Sequence, residues 1–192
     1  MPFFPLFVDL NGQHCVVVGG GPVAARKMQA LSDFGAKVLV LTTKASEEVH
    51  SLSRLARIIL KERPYGGPED LAGASLVISA TDNRELNARI AQDAKDAGIP
   101  VNIADDPELC TFFFPALVRR GDLIAGISTS GACPRLAARL RERLDEAWSP
   151  DLGKSLELLK EQRHRLKKTK NTASIVEELD RLISEILEEQ TH

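Results

Sequence analysis

The chain has 192 residues, 43% of them hydrophobic and 27% charged, with a formal net charge of −2. That balance is globular, large enough for one dominant core and a smaller appended part, and its near-zero charge gives no field to attract nucleic acid or an anionic membrane. Three cysteines (Cys15, Cys110, Cys133) and four scattered histidines have neither metal-ligand spacing nor the look of a disulfide framework, which predicts no bound metal and a reducing, cytoplasmic setting.

The start, MPFFPLFVDLNG, is apolar but short and lacks both a basic leader and a cleavage site, so it reads as mature protein. No apolar run approaches the ~20 residues of a membrane span. Cys15 to Val18 is a continuous apolar run closed by Gly19, the pattern of a strand buried on both faces of a parallel sheet. Pro22 to Phe34 carries a helix with Val23, Met28 and Leu31 as apolar residues, and Gly35 stands where a terminating glycine belongs. A strand over Lys37–Leu41, a helix over Ala45–Leu55 and a strand over Arg57–Leu60 follow. After the turn-rich stretch from Pro64 to Pro68 come a strand over Ser75–Ala80, a helix over Glu85–Ala97 and a strand over Pro100–Ile103. Strand and helix alternating through short connections predict an α/β, Rossmann-type parallel sheet with right-handed crossovers, a dinucleotide-binding domain filling residues 1–112.

The pattern then changes. Phe112–Val118 and Leu123–Ile127 read as two strands joined at Arg120-Gly121-Asp122, and Pro115 assigns the pair to an edge or an interface. Pro134 opens a helix to about Trp148 with Leu136, Leu140 and Leu144 on one face, and Pro150 ends it. Residues 113–148 thus form a β-hairpin and helix, and 149–192 a charged helical region with a break near Asn171-Thr172. Its single stripe of Ile175, Leu179, Leu182 and Leu187 must pack on something, by dimerisation or by docking on the hairpin region.

Gly19-Gly20-Gly21-Pro22-Val23-Ala24 fits G-x-G-x-x-A between a strand and a helix. The first glycine makes the tight turn, the next ones let a pyrophosphate approach, and the helix N-terminus offers N–H groups and partial positive charge. The second strand ends Leu41-Thr42-Thr43-Lys44 without the acid that usually holds a ribose 2′-hydroxyl. Thr43 can bond the ribose and Lys44 can tolerate a 2′-phosphate or simply be solvated, so these residues leave NAD and NADP both open. Thr81 and Asp82 lie on the same rim, at the end of the fourth strand, where Asp82 is also placed to cap the next helix. Asn102 and Asp105 flank the end of the fifth strand, Asn102 as a candidate substrate contact and Asp105 as either a turn residue or a base taking a proton as hydride leaves. Ser128-Thr129-Ser130-Gly131 ahead of a helix can cradle an anion. Arg119 and Arg120 in the hairpin, with Arg135 and Arg139 on the helix, either form a solvated ion-paired face or bind a polyanion.

Taken together these segments resemble the precorrin-2 dehydrogenase / sirohydrochlorin ferrochelatase family of siroheme synthesis. The resemblance rests on Val17–Lys27, on Ala80-Thr81-Asp82-Asn83 with Asn87, on Val101-Asn102-Ile103-Ala104-Asp105, on Phe114-Pro115-Ala116 with Arg119-Arg120, and on Ile127–Ala137. It implies NAD-dependent oxidation of precorrin-2 to sirohydrochlorin by a homodimer with interlocked hairpins and C-terminal helices, with iron insertion as a further activity of some members. It also implies that Asp105 is the acid/base and that Ser128 and Thr129 lie near the tetrapyrrole. The cofactor is then held around Pro22, Val23, Thr43 and Lys44. Resemblance moves Arg119, Arg120, Arg135 and Arg139 toward binding the substrate's carboxylates. No histidine falls near this site, so Asp105 would also have to serve any insertion of Fe2+. The methyltransferase domain fused to some relatives is not part of these residues, which implies a separate methyltransferase. The competing expectation is a non-catalytic NAD(H)-sensing Rossmann module, which has no need of residues 101–139.

Overall fold

A computed structural model describes residues 3–168 and 172–189. The chain divides into two compact units, residues 1–113 and 114–192.

The first unit is a five-stranded, all-parallel sheet. In chain order it contains β1 (His14–Val18), α1 (Pro22–Asp33), β2 (Lys37–Thr42), α2 (Glu47–Leu52), β3 (Ile58–Glu62), β4 (Leu76–Ser79), α3 (Arg84–Asp96) and β5 (Val101–Ile103). The strand order is β3-β2-β1-β4-β5. β1 is therefore central, with Val17 opposite Val40 on one side and Ile78 on the other, and Cys15 to Val18 are all buried. This explains the unbroken apolar run: a strand covered on both faces has no polar face to show. α1 packs Ala24, Ala25, Met28 and Leu31 inward, while α3 contributes Ile90, Ala91 and Ala94. The order reverses at β1, so the glycine turn that follows it opens on the switch point where open α/β sheets bind ligands.

α2 is shorter than the expected Ala45–Leu55. Ser46 fixes its start by accepting from the Val49 N–H (3.3 Å). β5 is an edge strand, and its exposed ladder is closed by side chains. Val101 N–H donates to Thr111 Oγ1 (2.8 Å) and Ile103 N–H to Cys110 Sγ (3.2 Å), so residues 110–112 run along the edge as a cover.

The second unit begins with an antiparallel hairpin, β6 (Ala116–Arg120) and β7 (Leu123–Ile127), followed by α4 (Pro134–Ala147), α5 (Leu152–Leu166) and α6 (Thr172–Glu189). The first strand was expected from Phe112. It starts only after Pro115, which has no N–H for the ladder. Gly121 takes the first central position of the two-residue turn at φ +61, as a type II′ turn requires. Of the stripe expected on α4, Leu136 and Leu140 are exposed and Leu144 is half-buried, while Ala137 is the buried contact. α6 lies along α5 and half-buries Ile175, Leu179, Leu182 and Ile186. Leu187, expected in that row, is exposed, as are Val176 and Ile183. The break expected at Asn171-Thr172 lies outside the described residues on its Asn171 side, and α6 begins at Thr172. No helix of the described residues is long and apolar enough to cross a membrane.

Candidate functional site

The turn after β1 is shaped from three directions. Gly19 has φ +135, donates to Leu41 O (2.9 Å), and leaves no room for a side chain, because a Cβ there would meet the Ala80 carbonyl. Gly20 is pressed against the loop after β2: a Cβ would run into Lys44 O and the Thr42 hydroxyl. That loop is in turn braced by buried Thr42, whose Oγ1 donates to Lys44 O (2.9 Å), and by Ser46 N–H donating to Gly20 O (2.9 Å). At Gly21 a Cβ would meet nothing within 4 Å. So Gly19 and Gly20 are demanded by the protein's own packing, and Gly21 faces open space.

Gly21 is the N-cap of α1, and no side chain caps the helix or places an acid in its first turn. Pro22 has no N–H, and the first intrahelical bond runs from Ala25 N–H to Gly21 O (3.0 Å). The N–H groups of Val23 and Ala24 therefore point out of the helix toward whatever lies above the turn. A pyrophosphate suits this cradle: uncapped donors, the positive end of a helix, and no acid in the helix's first turn. The turn is one wall of a cleft of about 740 Å³, whose other walls are Thr43 and Lys44 after β2, Arg63 to Tyr65 after β3, and Thr81 to Asn83 after β4. All the expected cofactor residues (Gly19, Gly20, Gly21, Pro22, Val23, Thr43, Lys44, Thr81 and Asp82) line this cleft.

The β4 rim is organised by a residue with no expected role of its own. Buried Asn87 accepts from Ser79 Oγ and Thr81 Oγ1 (both 2.7 Å) and donates to Thr81 O (2.9 Å), which fixes Thr81 at the mouth. Asp82 was expected to cap α3. Asn83 does so instead, accepting from the Leu86 N–H (3.0 Å), and Asp82 is left exposed on the cleft wall. The cleft also contains Arg63, which sequence reasoning passed over. Its guanidinium pairs with Asp70, and that partner holds the Asp70 carboxyl below its usual range. Nothing in the local sequence announces this pair, since its members lie seven residues apart across a turn.

At the end of β5 the two expected residues part company. Asn102, the candidate substrate contact, is instead buried and donates to Phe112 O (3.0 Å), which commits its amide to tying the covering segment to the strand. Asp105 is exposed and sits at φ +64, a backbone region uncommon for any residue but glycine and better tolerated by Asp and Asn. Held strain of this kind collects at functional positions.

In the second unit Arg120 is not available to an anion. Its five N–H bonds go to Asp145 Oδ1 (2.9 Å) and to the carbonyls of Arg119, Asp145, Trp148 and Ser149. It caps the carbonyl end of α4 from the hairpin. Arg119 bonds Gly121 O (3.0 Å), and Arg139 pairs with Glu142 (3.1 Å). Arg135 is exposed beside the N-terminus of α4. Ser128 Oγ accepts from Ser130 N–H and Thr129 Oγ1 from Cys133 N–H (3.1 Å each), while Ser130 and Gly131 are both left-handed. The turn is thus internally bonded, with both hydroxyls acting as acceptors inside it. Among the described residues no group of three His, Cys, Asp or Glu is placed to hold a metal ion.

A family model described as "Putative NAD(P)-binding" matches residues 6–116. The siroheme synthase of Ectopseudomonas mendocina is 45% identical over 150 residues, which are 78% of this chain and 32% of that protein. The siroheme synthase of Methylococcus capsulatus is 38% identical over 167 residues, 87% of this chain and 35% of that protein. The chain thus spans about a third of the length of these curated relatives. Among solved structures, SirC, a precorrin-2 dehydrogenase, superimposes with a TM-score of 0.79 at 26% identity, over 94% of this chain and 89% of its own.

Proposed function

The chain belongs to the precorrin-2 dehydrogenase/siroheme synthase family of NAD(P)-binding proteins, and from that premise we propose that it oxidises precorrin-2 to sirohydrochlorin with NAD. The observation that carries the reading is that an uncapped glycine turn follows β1 and an exposed, left-handed Asp105 follows β5, both at the carboxyl ends of strands of one parallel sheet.

Oxidation removes a hydride and a proton from the tetrapyrrole. Bound NAD+ would accept the hydride. The chain's own work is then threefold. The turn from Gly19 to Val23 grips the pyrophosphate through backbone N–H groups, and Thr81, fixed by Asn87, lines the wall beside it. Thr43 and Lys44 stand at the rim of β2, where no carboxylate opposes the dinucleotide. The Asp105 carboxylate takes the proton, and its exposed turn lets it pass that proton to water. The substrate's carboxylates need cations and donors, and Arg119, Arg135, Arg139 and the Ser128–Gly131 turn are the groups of the second unit with the chemistry to hold them.

The remaining parts of the reading follow from the same family membership. The protein acts as a homodimer in the cytoplasm, takes its substrate from a methyltransferase, and accepts Fe2+ as a second substrate if Asp105 also removes the pyrrole protons. The test is anaerobic turnover of precorrin-2 with NAD+, wild type against Asp105→Asn. We expect the variant to bind NAD with unchanged affinity and to lose about 100-fold or more in kcat. Wild-type turnover by Asp105→Asn would remove Asp105 from the reaction.

A further inference from the structure

Asp105 does not hold its position by its own contacts. It is the third residue of a four-residue turn closed by Asp106 N–H on Ile103 O (3.4 Å), and a left-handed residue at that place is usually glycine or asparagine. The turn is also held from outside, by Cys110. Its sulfur accepts from the Ile103 N–H (3.2 Å) and lies 3.3 Å from both Ile103 O and Asp106 O, which share its single S–H proton. The first and last residues of the turn are thus gripped by one side chain seven residues from Ile103 and four from Asp106. Asn102 adds a donor to the same sulfur (3.5 Å). Burial pushes the thiol's pKa up, so the group stays protonated and keeps its donor.

We propose that Cys110 is a positioning residue for the reaction: by bonding both ends of the turn, its thiol fixes the direction in which the Asp105 carboxylate points. The inference rests on the reading of Asp105 as acid/base. Cys110 is not among the residues that line the cofactor cleft, and its effect is on geometry. A misplacement of about 1 Å in a reacting group costs up to about 100-fold in rate.

The experiment is a double-mutant cycle on the whole chain, with precorrin-2 and NAD+ in single-turnover mode. Cys110→Ala should lower the rate about 10- to 100-fold while leaving the Kd for NAD within about twofold, because the glycine turn lies two strands away on β1. Added to Asp105→Asn, the same change should cost nothing further, since there is no carboxylate left to aim. Cys110→Ser keeps a donor and an acceptor on a shorter bond and should recover most of the loss. Should Cys110→Ala fail to fold, judged by NAD binding, the serine variant carries the cycle with a smaller loss of the same kind, again confined to the background that has Asp105. An undiminished rate in the cysteine variants overturns the inference, and so does an equal loss in both backgrounds. If Asp105→Asn alone turns over like wild type, the reading of Asp105 fails first, and the failure is visible as such.

Discussion

Gly19, Gly20 and Gly21 are adjacent in sequence and do three different jobs. Only Gly19 needs a positive φ, only Gly20 is wedged against the loop after β2, and only Gly21 looks onto open space. The sequence motif assigns the later glycines to the approach of a pyrophosphate, and packing splits them. Gly20→Ala should destabilise the first unit by about 3 kcal/mol, since its Cβ meets backbone that cannot rotate away. Gly21→Ala should leave the thermal midpoint unchanged and weaken NAD binding about tenfold, ~1.4 kcal/mol. Thermal unfolding and NAD titration of the two variants check this, and a Gly21→Ala protein that binds NAD as wild type would place the pyrophosphate elsewhere. At this scale the cofactor cradle was legible because strand, glycines and helix follow one another locally. The roles of Asn87, Cys110 and Arg120 were not, because each is defined by partners on another element.

Elements whose identity depends on periodicity were readable, and their ends were set by particular side chains. Pro115 delays β6 to Ala116, and the Ser46 cap starts α2 at Glu47, two residues after the expected Ala45. Phe112, the last residue of the cover over β5, was read as the start of a hairpin strand, because Phe112 to Phe114 is as apolar as any strand. Long-range bonds from Thr111 and Cys110 make it an edge cap instead. Arg120 is the clearest case of a charge whose place decides its meaning. Sequence groups it with the substrate-binding arginines, yet it closes the carbonyl end of α4 with a side chain only 17% exposed. Arg120→Ala should cost the second unit about 3 kcal/mol, because it leaves the carbonyls of Asp145, Trp148 and Ser149 without this donor and Asp145 with only Arg141 as a cationic partner. Arg120→Lys should recover less than half, as an ammonium cannot reach this fan of acceptors. Denaturant unfolding reads both; a loss below about 0.5 kcal/mol for the alanine variant would contradict the capping role.

The molecule as a whole pairs a dinucleotide sheet with a hairpin–helix unit that a bare sensing module would not require. The parallel sheet was legible from alternating strands and helices with short links. The second unit was legible only in outline, since its apolar faces have more than one way to be covered. On α6 one row packs along α5, and the row of Val176, Ile183 and Leu187 stays outside. The cover we propose is a second copy of the chain. Sedimentation should give twice the 21.0 kDa chain mass, and Ile183→Glu should return the protein to a monomer; a monomeric wild type would exclude this assembly. The central claim is chemical, and one measurement meets it directly: purified protein incubated anaerobically with precorrin-2, with and without NAD+, followed by absorbance. Sirohydrochlorin and NADH should appear together, one for one, and only when NAD+ is present. NAD binding with no change in the tetrapyrrole spectrum would contradict the dehydrogenase reading and leave a sensing module in its place.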